Sequence, residues 1–228
     1  MAGVAIVGES GTGKSTSLGN FPEIGIKGLN PSSTVIINVA NKPLPFKGWS
    51  SKYKEGIKEK GNYLVSSDAD VIASAIKFIS DSRKDITDVV IDDGQYIMAF
   101  EFMARAKETG YGKFSDIGVK FNKIVQTVKD VRKDLNVFFL WHPQKDNLGN
   151  YSMKTVGKMV DDYLTPEGLF TIVLYSCVEQ GNGNKMEYKF VTNNDGKYPA
   201  KSPMGMFNET YIKNDLGLVS DKIREFNN

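Results

Sequence analysis

A chain of 228 residues with 40% hydrophobic and 25% charged residues has the size and balance of one α/β domain with a substantial core. Its formal net charge of +2 excludes a surface that attracts polyanions throughout, so any nucleic-acid contact must come from a local patch. Cys177 is the only cysteine, no apolar run approaches a membrane span, and no signal-peptide pattern precedes the first strand. A reducing cytoplasm is therefore the expected setting.

The chain opens on Gly3-Val4-Ala5-Ile6-Val7, an apolar run that reads as a buried strand. It leads into Gly8-Glu9-Ser10-Gly11-Thr12-Gly13-Lys14-Ser15-Thr16, which fits G-x-x-x-x-G-K-[ST], the phosphate-binding loop of P-loop NTPases. Gly8, Gly11 and Gly13 let the backbone curl so that successive N–H groups point inward, an anion nest at the start of a helix. In that geometry Lys14 reaches the β- and γ-phosphates and the Ser15 hydroxyl sits on Mg²⁺. The expected ligand is a nucleoside triphosphate with its magnesium ion.

Gly19-Asn20-Phe21-Pro22 breaks that helix, and Gly25, Gly28 and Pro31 mark a loop. Residues 34–39 form a β-branched strand. Residues 41–49 carry two prolines and read as a loop with two exposed aromatics, Phe46 and Trp49. Asn41-Lys42 begins an N-K-x-D guanine motif, but Leu44 stands in place of the aspartate, so a GTPase reading fails. Ser67 or Asp68 caps a helix whose apolar positions are Val71, Ile72, Ala75, Ile76 and Ile79. Next comes Asp88-Val89-Val90-Ile91-Asp92-Asp93, a strand ending in two carboxylates. A helix over 97–107 and a loop over 110–115 precede a longer helix with Ile117, Phe121, Ile124, Val125, Val128 and Val131 on one face. Asn136-Val137-Phe138-Phe139-Leu140-Trp141-His142 is another apolar strand.

Strands separated by helices predict a parallel sheet covered on both faces. The last third changes character. A strand over 168–175, a hairpin turn at Gly181-Asn182-Gly183-Asn184, a returning strand over 186–192 and a helix over 216–226 capped by Asn214 or Asp215 add antiparallel strands at the C-terminal edge. One α/β domain over residues 1–228 is the economical organisation.

Asp92 fits the strand-end carboxylate that holds Mg²⁺, through water, opposite the loop hydroxyl. Asp93 is placed to orient or activate an attacking water, although Asp-Asp-Gly is also ordinary turn chemistry. His142, the single histidine, ends its strand where ligands of open α/β sheets bind, the position of a γ-phosphate sensor or of a plain strand-end hydrogen bond. One histidine and one cysteine cannot make a zinc site.

Residues 8–16, 35–49, 89–93, 141–142, 167–171 and 200–207 together resemble the RecA-like ATPase core carried by many bacteriophages, close to the Sak-four type of single-strand annealing protein. The resemblance covers nearly the whole chain. It implies a RecA-like P-loop fold, ATP and Mg²⁺ as cofactors, and annealing or strand pairing on single-stranded DNA in phage recombination or replication, in the host cytoplasm. The implied partners are single-stranded DNA, further copies of the chain and a single-strand DNA-binding protein. RecA proteins carry a glutamate just after the second core strand, whereas this chain reads Asn38-Val39-Ala40-Asn41. Either Asp93 or Glu9 substitutes, or hydrolysis is slow. The absence of an extension before the first strand argues against a long filament and leaves rings or DNA-induced assemblies open.

Residues 143–158, just beyond the sensor strand, are polar and basic on balance. Lys145, Lys154 and Lys158 can track phosphates while Tyr151 stacks on a base, although a solvated hairpin is the plainer reading. Lys42, Lys47, Trp49, Lys52, Tyr53 and Lys54 form a second candidate surface. By analogy with RecA-like assemblies, Lys201 reaches a neighbouring subunit's γ-phosphate, the alternative being an exposed loop lysine. Two rival classes stand beside this reading. A P-loop small-molecule or nucleotide kinase needs a lid of clustered arginines, and Arg83, Arg105, Arg132 and Arg224 are scattered. A nucleotide-gated scaffold with little turnover suits the missing glutamate.

Overall fold

A computed structural model of the chain describes residues 3–162, 164–181, 183 and 185–227, without the side chain of Met159. In chain order the elements are β1 (Gly3–Gly8), β2 (Thr34–Asn38), α1 (Trp49–Lys52), β3 (Tyr63–Val65), α2 (Ala69–Ser82), β4 (Asp88–Asp92), α3 (Gln95–Ala104), α4 (Gly112–Lys129) and β5 (Asn136–Trp141). They continue with β6 (Pro143–Lys145), β7 (Tyr151–Met153), α5 (Lys158–Asp161), β8 (Ile172–Gln180), β9 (Met186–Val191), β10 (Tyr211–Lys213) and α6 (Leu216–Asn227).

Eight strands form one sheet in the order β10-β9-β8-β1-β5-β4-β2-β3. The run from β8 to β3 is parallel throughout, and β9 and β10 add antiparallel at the C-terminal edge. The continuous apolar runs are the cause. Every residue of β2, β4 and β5 is buried, which only a sheet covered on both faces allows. Alternate side chains divide cleanly. Ala5, Val7, Ile37, Ile91, Phe139 and Trp141 face α2, α3 and α4, while Val4, Ile6, Ile36, Val90, Phe138 and Leu140 face α6 and the segment around Leu44 and Tyr53. Each fully buried Phe or Ile contributes about 2 kcal/mol of transfer free energy.

Helix α2 starts where expected, with the Asp68 carboxylate accepting from the N–H groups of Asp70 and Val71. Asp215 rather than Asn214 caps α6, accepting from Gly217 N at 2.8 Å. Several expectations need correction. The segment after Gly13 does not form an α-helix: it makes a single 3₁₀ turn, Thr16–Leu18, and Gly19 leaves it extended at ψ 155°. Phe21 is tied to Ile26 by paired backbone hydrogen bonds, so the chain turns back on itself where a longer helix would continue. Helix α4 begins at Gly112, inside the expected loop. β8 starts at Ile172 because Pro166–Leu169 is a 3₁₀ turn with proline in its first turn. β3 and β10 are three-residue strands that the sequence reading did not contain. Asn182 and Asn184 of the expected hairpin turn lie outside the described residues, while the strands on either side pair antiparallel. Among the described residues no helix is long and apolar enough to cross a membrane.

For function, the decisive feature is β5 lying between β1 and β4. The carboxyl ends of these three parallel strands, Gly8, Trp141 and Asp92, open side by side along one edge of the sheet.

Candidate functional site

Beyond Gly8 the chain curls back on itself. Gly13 adopts φ +91°, where an L side chain is strained, and a Cβ there would meet the Tyr188 ring at 3.1 Å and Asn214 at 3.3 Å. At Gly8 a Cβ would strike the Thr12 hydroxyl at 2.6 Å. The Thr12 carbonyl is pinned from below: the Ser176 hydroxyl donates to it at 2.5 Å and the Asn214 amide at 3.1 Å. Asn214 also donates to Ser176 at 2.7 Å. Both clamping side chains are buried, one midway along β8 beside the end of β1 and one just before α6.

Inside the curl lies Lys14, 6% exposed, its Nζ donating to the carbonyls of Gly8 at 2.6 Å and Glu9 at 3.0 Å. Burial pulls its pKa down to about 8, against the opposing charges of Asp93 and Asp92. The following 3₁₀ turn is too short to sum a macrodipole. Anion attraction at this loop must therefore come from Lys14 and the loop backbone rather than from a helix end.

Ser15 and Asp92, 77 positions apart in sequence, meet: the Ser15 hydroxyl donates to Asp92 Oδ1 at 2.7 Å. Asp92 is 1% exposed, and burial, together with the adjacent Asp93 charge, pushes its pKa up to about 6. Asp93 is equally buried but sits at φ +60°, left-handed and strained for a residue with a side chain. Two side chains hold it there, Lys42 through an ion pair and His142 with Nε2 3.4 Å from Oδ1. Burial alone would raise the Asp93 carboxyl, yet the hydrogen bonds from His142 and Lys42 keep it below the usual range. His142 in turn is fixed through its backbone N–H, which donates to Gln95 Oε1 at 3.3 Å.

Lys42 was expected on a DNA-facing surface; its ammonium lies at this carboxylate instead. Asn38 at the end of β2 explains why. Its amide donates to the Lys42 carbonyl at 2.6 Å and to the Tyr63 hydroxyl at 2.5 Å, and Asn41 turns the chain at φ +51°. The usable signal was position alone: residues past the carboxyl end of a parallel strand line the crevice.

Ser10, Lys14, Ser15, Lys42, Asp93 and His142 line one cleft of about 380 Å³, together with the apolar Ile24, Ile26, Pro45 and Tyr188. Among the described residues no cluster of three His, Cys, Asp or Glu could hold a metal ion. A cation here would take a hydroxyl, one carboxylate and oxygens from its ligand, which suits a hard, water-retaining ion such as Mg²⁺. A phosphate chain fits the same donor set, with one buried ammonium inside the loop and a second at the facing carboxylate.

The remaining expected site residues lie elsewhere. Glu9 does not line the cleft: its carboxylate turns to the β6–β7 hairpin, 3.1 Å from Lys145 Nζ and 3.2 Å from the Tyr151 hydroxyl. Lys145 and Tyr151 are cross-strand partners. Lys154 stands at the hairpin's base, its N–H donating to the His142 carbonyl at 2.9 Å, and Lys158 is exposed at the start of α5. Lys201 is exposed and pairs its backbone with Val173, which lies beside Ala5, about three residues below the loop. In the second candidate surface, Phe46 packs edge-on against Phe21 and Tyr53, and Trp49 lies 5.5 Å from Tyr63. Those aromatics are half-buried or buried and hold a loop together.

No family model matches the chain, and no curated protein matches it significantly.

Proposed function

We propose that the chain is a P-loop ATPase with a RecA-like core that binds single-stranded DNA and acts on it by annealing or strand pairing. The observation that carries the reading is the Ser15–Asp92 hydrogen bond across β5 with Lys14 beside it. It brings together two motifs that the sequence separates, as a phosphate and magnesium site would require. Ser15 and Asp92 would hold Mg²⁺, which would supply positive charge to offset that of a bound phosphate chain. Lys14 would exchange its two loop carbonyls for phosphate oxygens. Lys42, facing the loop from β2, would meet the distal phosphate.

Asp93 suits water positioning better than proton abstraction. Its low pKa makes it a weak base at neutral pH, and its two oxygens already face Lys42 and His142. With Glu9 turned away and Asp93 already engaged by Lys42 and His142, the cleft lining among the described residues offers no unengaged carboxylate to activate water, so turnover is slow and nucleotide occupancy does much of the switching. This same observation favours the nucleotide-gated scaffold as the second reading. A kinase lid finds no support: Arg83 and Arg105 pair with Asp85, Glu108 and Asp116, Arg132 bonds the carbonyls of Ile79 and Ser80, and Arg224 pairs with Asp88. None of the four lines the cleft.

Calorimetry with Mg·ATP tests the nucleotide half. Lys14→Ala is expected to abolish binding, and micromolar-range affinity retained in that variant would contradict the site. For the DNA half, neutralising Lys145, Lys154 and Lys158 together is expected to weaken single-strand binding. The slope of log affinity against log salt should fall by about 2, at roughly 0.7 per phosphate contact. An unchanged slope would put the DNA path on another surface.

A further inference from the structure

Beside the glycine loop, away from the cleft, tyrosine rings and lysines converge from three parts of the chain. The ring of Tyr151 on β7 lies 5.0 Å from that of Tyr198, in the segment between β9 and β10, at an interplanar angle of 35°. Both rest against Tyr175 on β8, at 6.2 and 5.5 Å. Tyr175 is fully buried, and its hydroxyl has no hydrogen-bond partner. Over the two outer rings stand two cations, Lys145 Nζ 4.4 Å from the Tyr151 centroid and Lys197 Nζ 4.8 Å from that of Tyr198. The Tyr198 segment is itself shaped for this. Asp195 accepts from the N–H groups of Lys197 at 2.9 Å and Tyr198 at 2.7 Å and from the Tyr211 hydroxyl at 2.7 Å.

Half-buried rings flanked by mobile ammonium groups are what a single strand needs, a flat face for a base and a cation for the adjoining phosphate. Here one anion already occupies that place. The Glu9 carboxylate takes both the Lys145 ammonium and the Tyr151 hydroxyl. Lys145 foremost, opposed by burial and helped by Tyr151 and the nearby Lys197 charge, holds its carboxyl below the usual range. An exposed pair of this kind is weak enough for a strand phosphate to displace.

We propose that Tyr151, Tyr198, Lys145 and Lys197 form a stacking platform for single-stranded nucleic acid, and that Glu9 closes it by standing where a strand phosphate would bind. The proposal rests on the single-strand-binding reading above and extends it to Tyr198 and Lys197, which sequence reading did not single out, and to a gate. The gate is wired to the nucleotide loop, because the Glu9 carbonyl accepts from Lys14 Nζ at 3.0 Å. A Lys14 that turns to a triphosphate releases the Glu9 backbone, so nucleotide in the cleft and strand on the platform favour each other, reciprocally.

The test is fluorescence anisotropy with a labelled oligothymidylate, with and without Mg²⁺ and a non-hydrolysable ATP analogue. Without nucleotide, Glu9→Gln is expected to bind several-fold tighter than wild type and to lose the response to the analogue. Tyr198→Ala should bind about tenfold weaker, in line with loss of one stacking contact, and Lys197→Gln, an exposed change that spares the tyrosine packing, a few-fold weaker. Equal binding by wild type and Glu9→Gln overturns the gate. Wild-type affinity in Lys197→Gln and in folded Tyr198→Ala overturns the platform. Absence of binding by every protein, Glu9→Gln included, overturns the single-strand reading on which both stand.

Discussion

Asp92 and Asp93 are neighbours in sequence and in burial, yet their environments push them in opposite directions, and the pH behaviour follows. Asp92 rises from 3.8 to about 6 in the folded chain, chiefly through burial. Between those values the folded form binds the proton more tightly, so the stability linked to this group is whole below about pH 4 and lost as pH climbs through 6. Asp92→Asn, which keeps an acceptor for Ser15, is therefore expected to stabilise the ligand-free protein above pH 7 by on the order of 3 kcal/mol, read by urea unfolding. The same change should remove the Mg²⁺ dependence of nucleotide binding. Lower stability in the variant would show that Asp92 is not held against a desolvation cost. In the wild type, Mg·ATP affinity should weaken as pH falls through 6 and Asp92 takes up its proton. Asp93 has the reverse sign: its carboxyl is held low, so its contribution is present at neutral pH and lost on acidification. Asp93→Asn should lower turnover more than binding, and unchanged turnover would remove it from the mechanism. The two aspartates were legible because a strand-end carboxylate follows from an apolar run and a motif. Lys42 was not, because its delivery depends on the Asn38 side chain and the left-handed Asn41, neither of which has a periodic signature.

The glycine loop is held as an element by side chains that come from distant parts of the chain. Ser176 and Asn214 share the Thr12 carbonyl, and each hydrogen bond contributes about 1 kcal/mol. Ser176→Ala and Asn214→Ala should each weaken Mg·ATP binding about fivefold with the fold retained by circular dichroism, and the pair together by less than the product, since the two residues also bond each other. Full affinity in both would mean that the loop keeps its shape unaided. Element by element, the central strands were legible because complete burial leaves an uninterrupted apolar run. β3 and β10 escaped notice because three-residue edge strands are set by pairing with their neighbours rather than by their own pattern. Asn214 shows the limit well: sequence offered it and Asp215 equally as caps, and only packing assigns one to α6 and the other to the loop. The 3₁₀ turn after Lys14 was unreadable for a related reason, since it ends at an extended Gly19 followed by the backbone pairing of Phe21 with Ile26.

At the scale of the molecule, sheet order makes the site. β5 separates the strand bearing the glycine loop from the strand bearing the carboxylates, so Trp141 and His142 emerge between them and the chain passes directly into the β6–β7 hairpin. The Trp141 indole donates to the Lys154 carbonyl at 2.7 Å, fastening the hairpin's return to the strand that enters the cleft. A parallel α/β sheet with an antiparallel C-terminal edge could be foreseen from alternating apolar runs and turn signals. Contact between the loop and the hairpin could not, because it depends on where Glu9, Lys145 and Tyr151 point. The central claim is that a triphosphate cleft and a single-strand surface are coupled through this edge, and steady-state ATP hydrolysis with Mg²⁺, with and without single-stranded DNA, tests it most directly. A low basal rate raised several-fold by single-stranded DNA, and absent in Lys14→Ala, is the expected result; a rate indifferent to DNA, or phosphate transferred to a nucleoside acceptor instead of water, would contradict it.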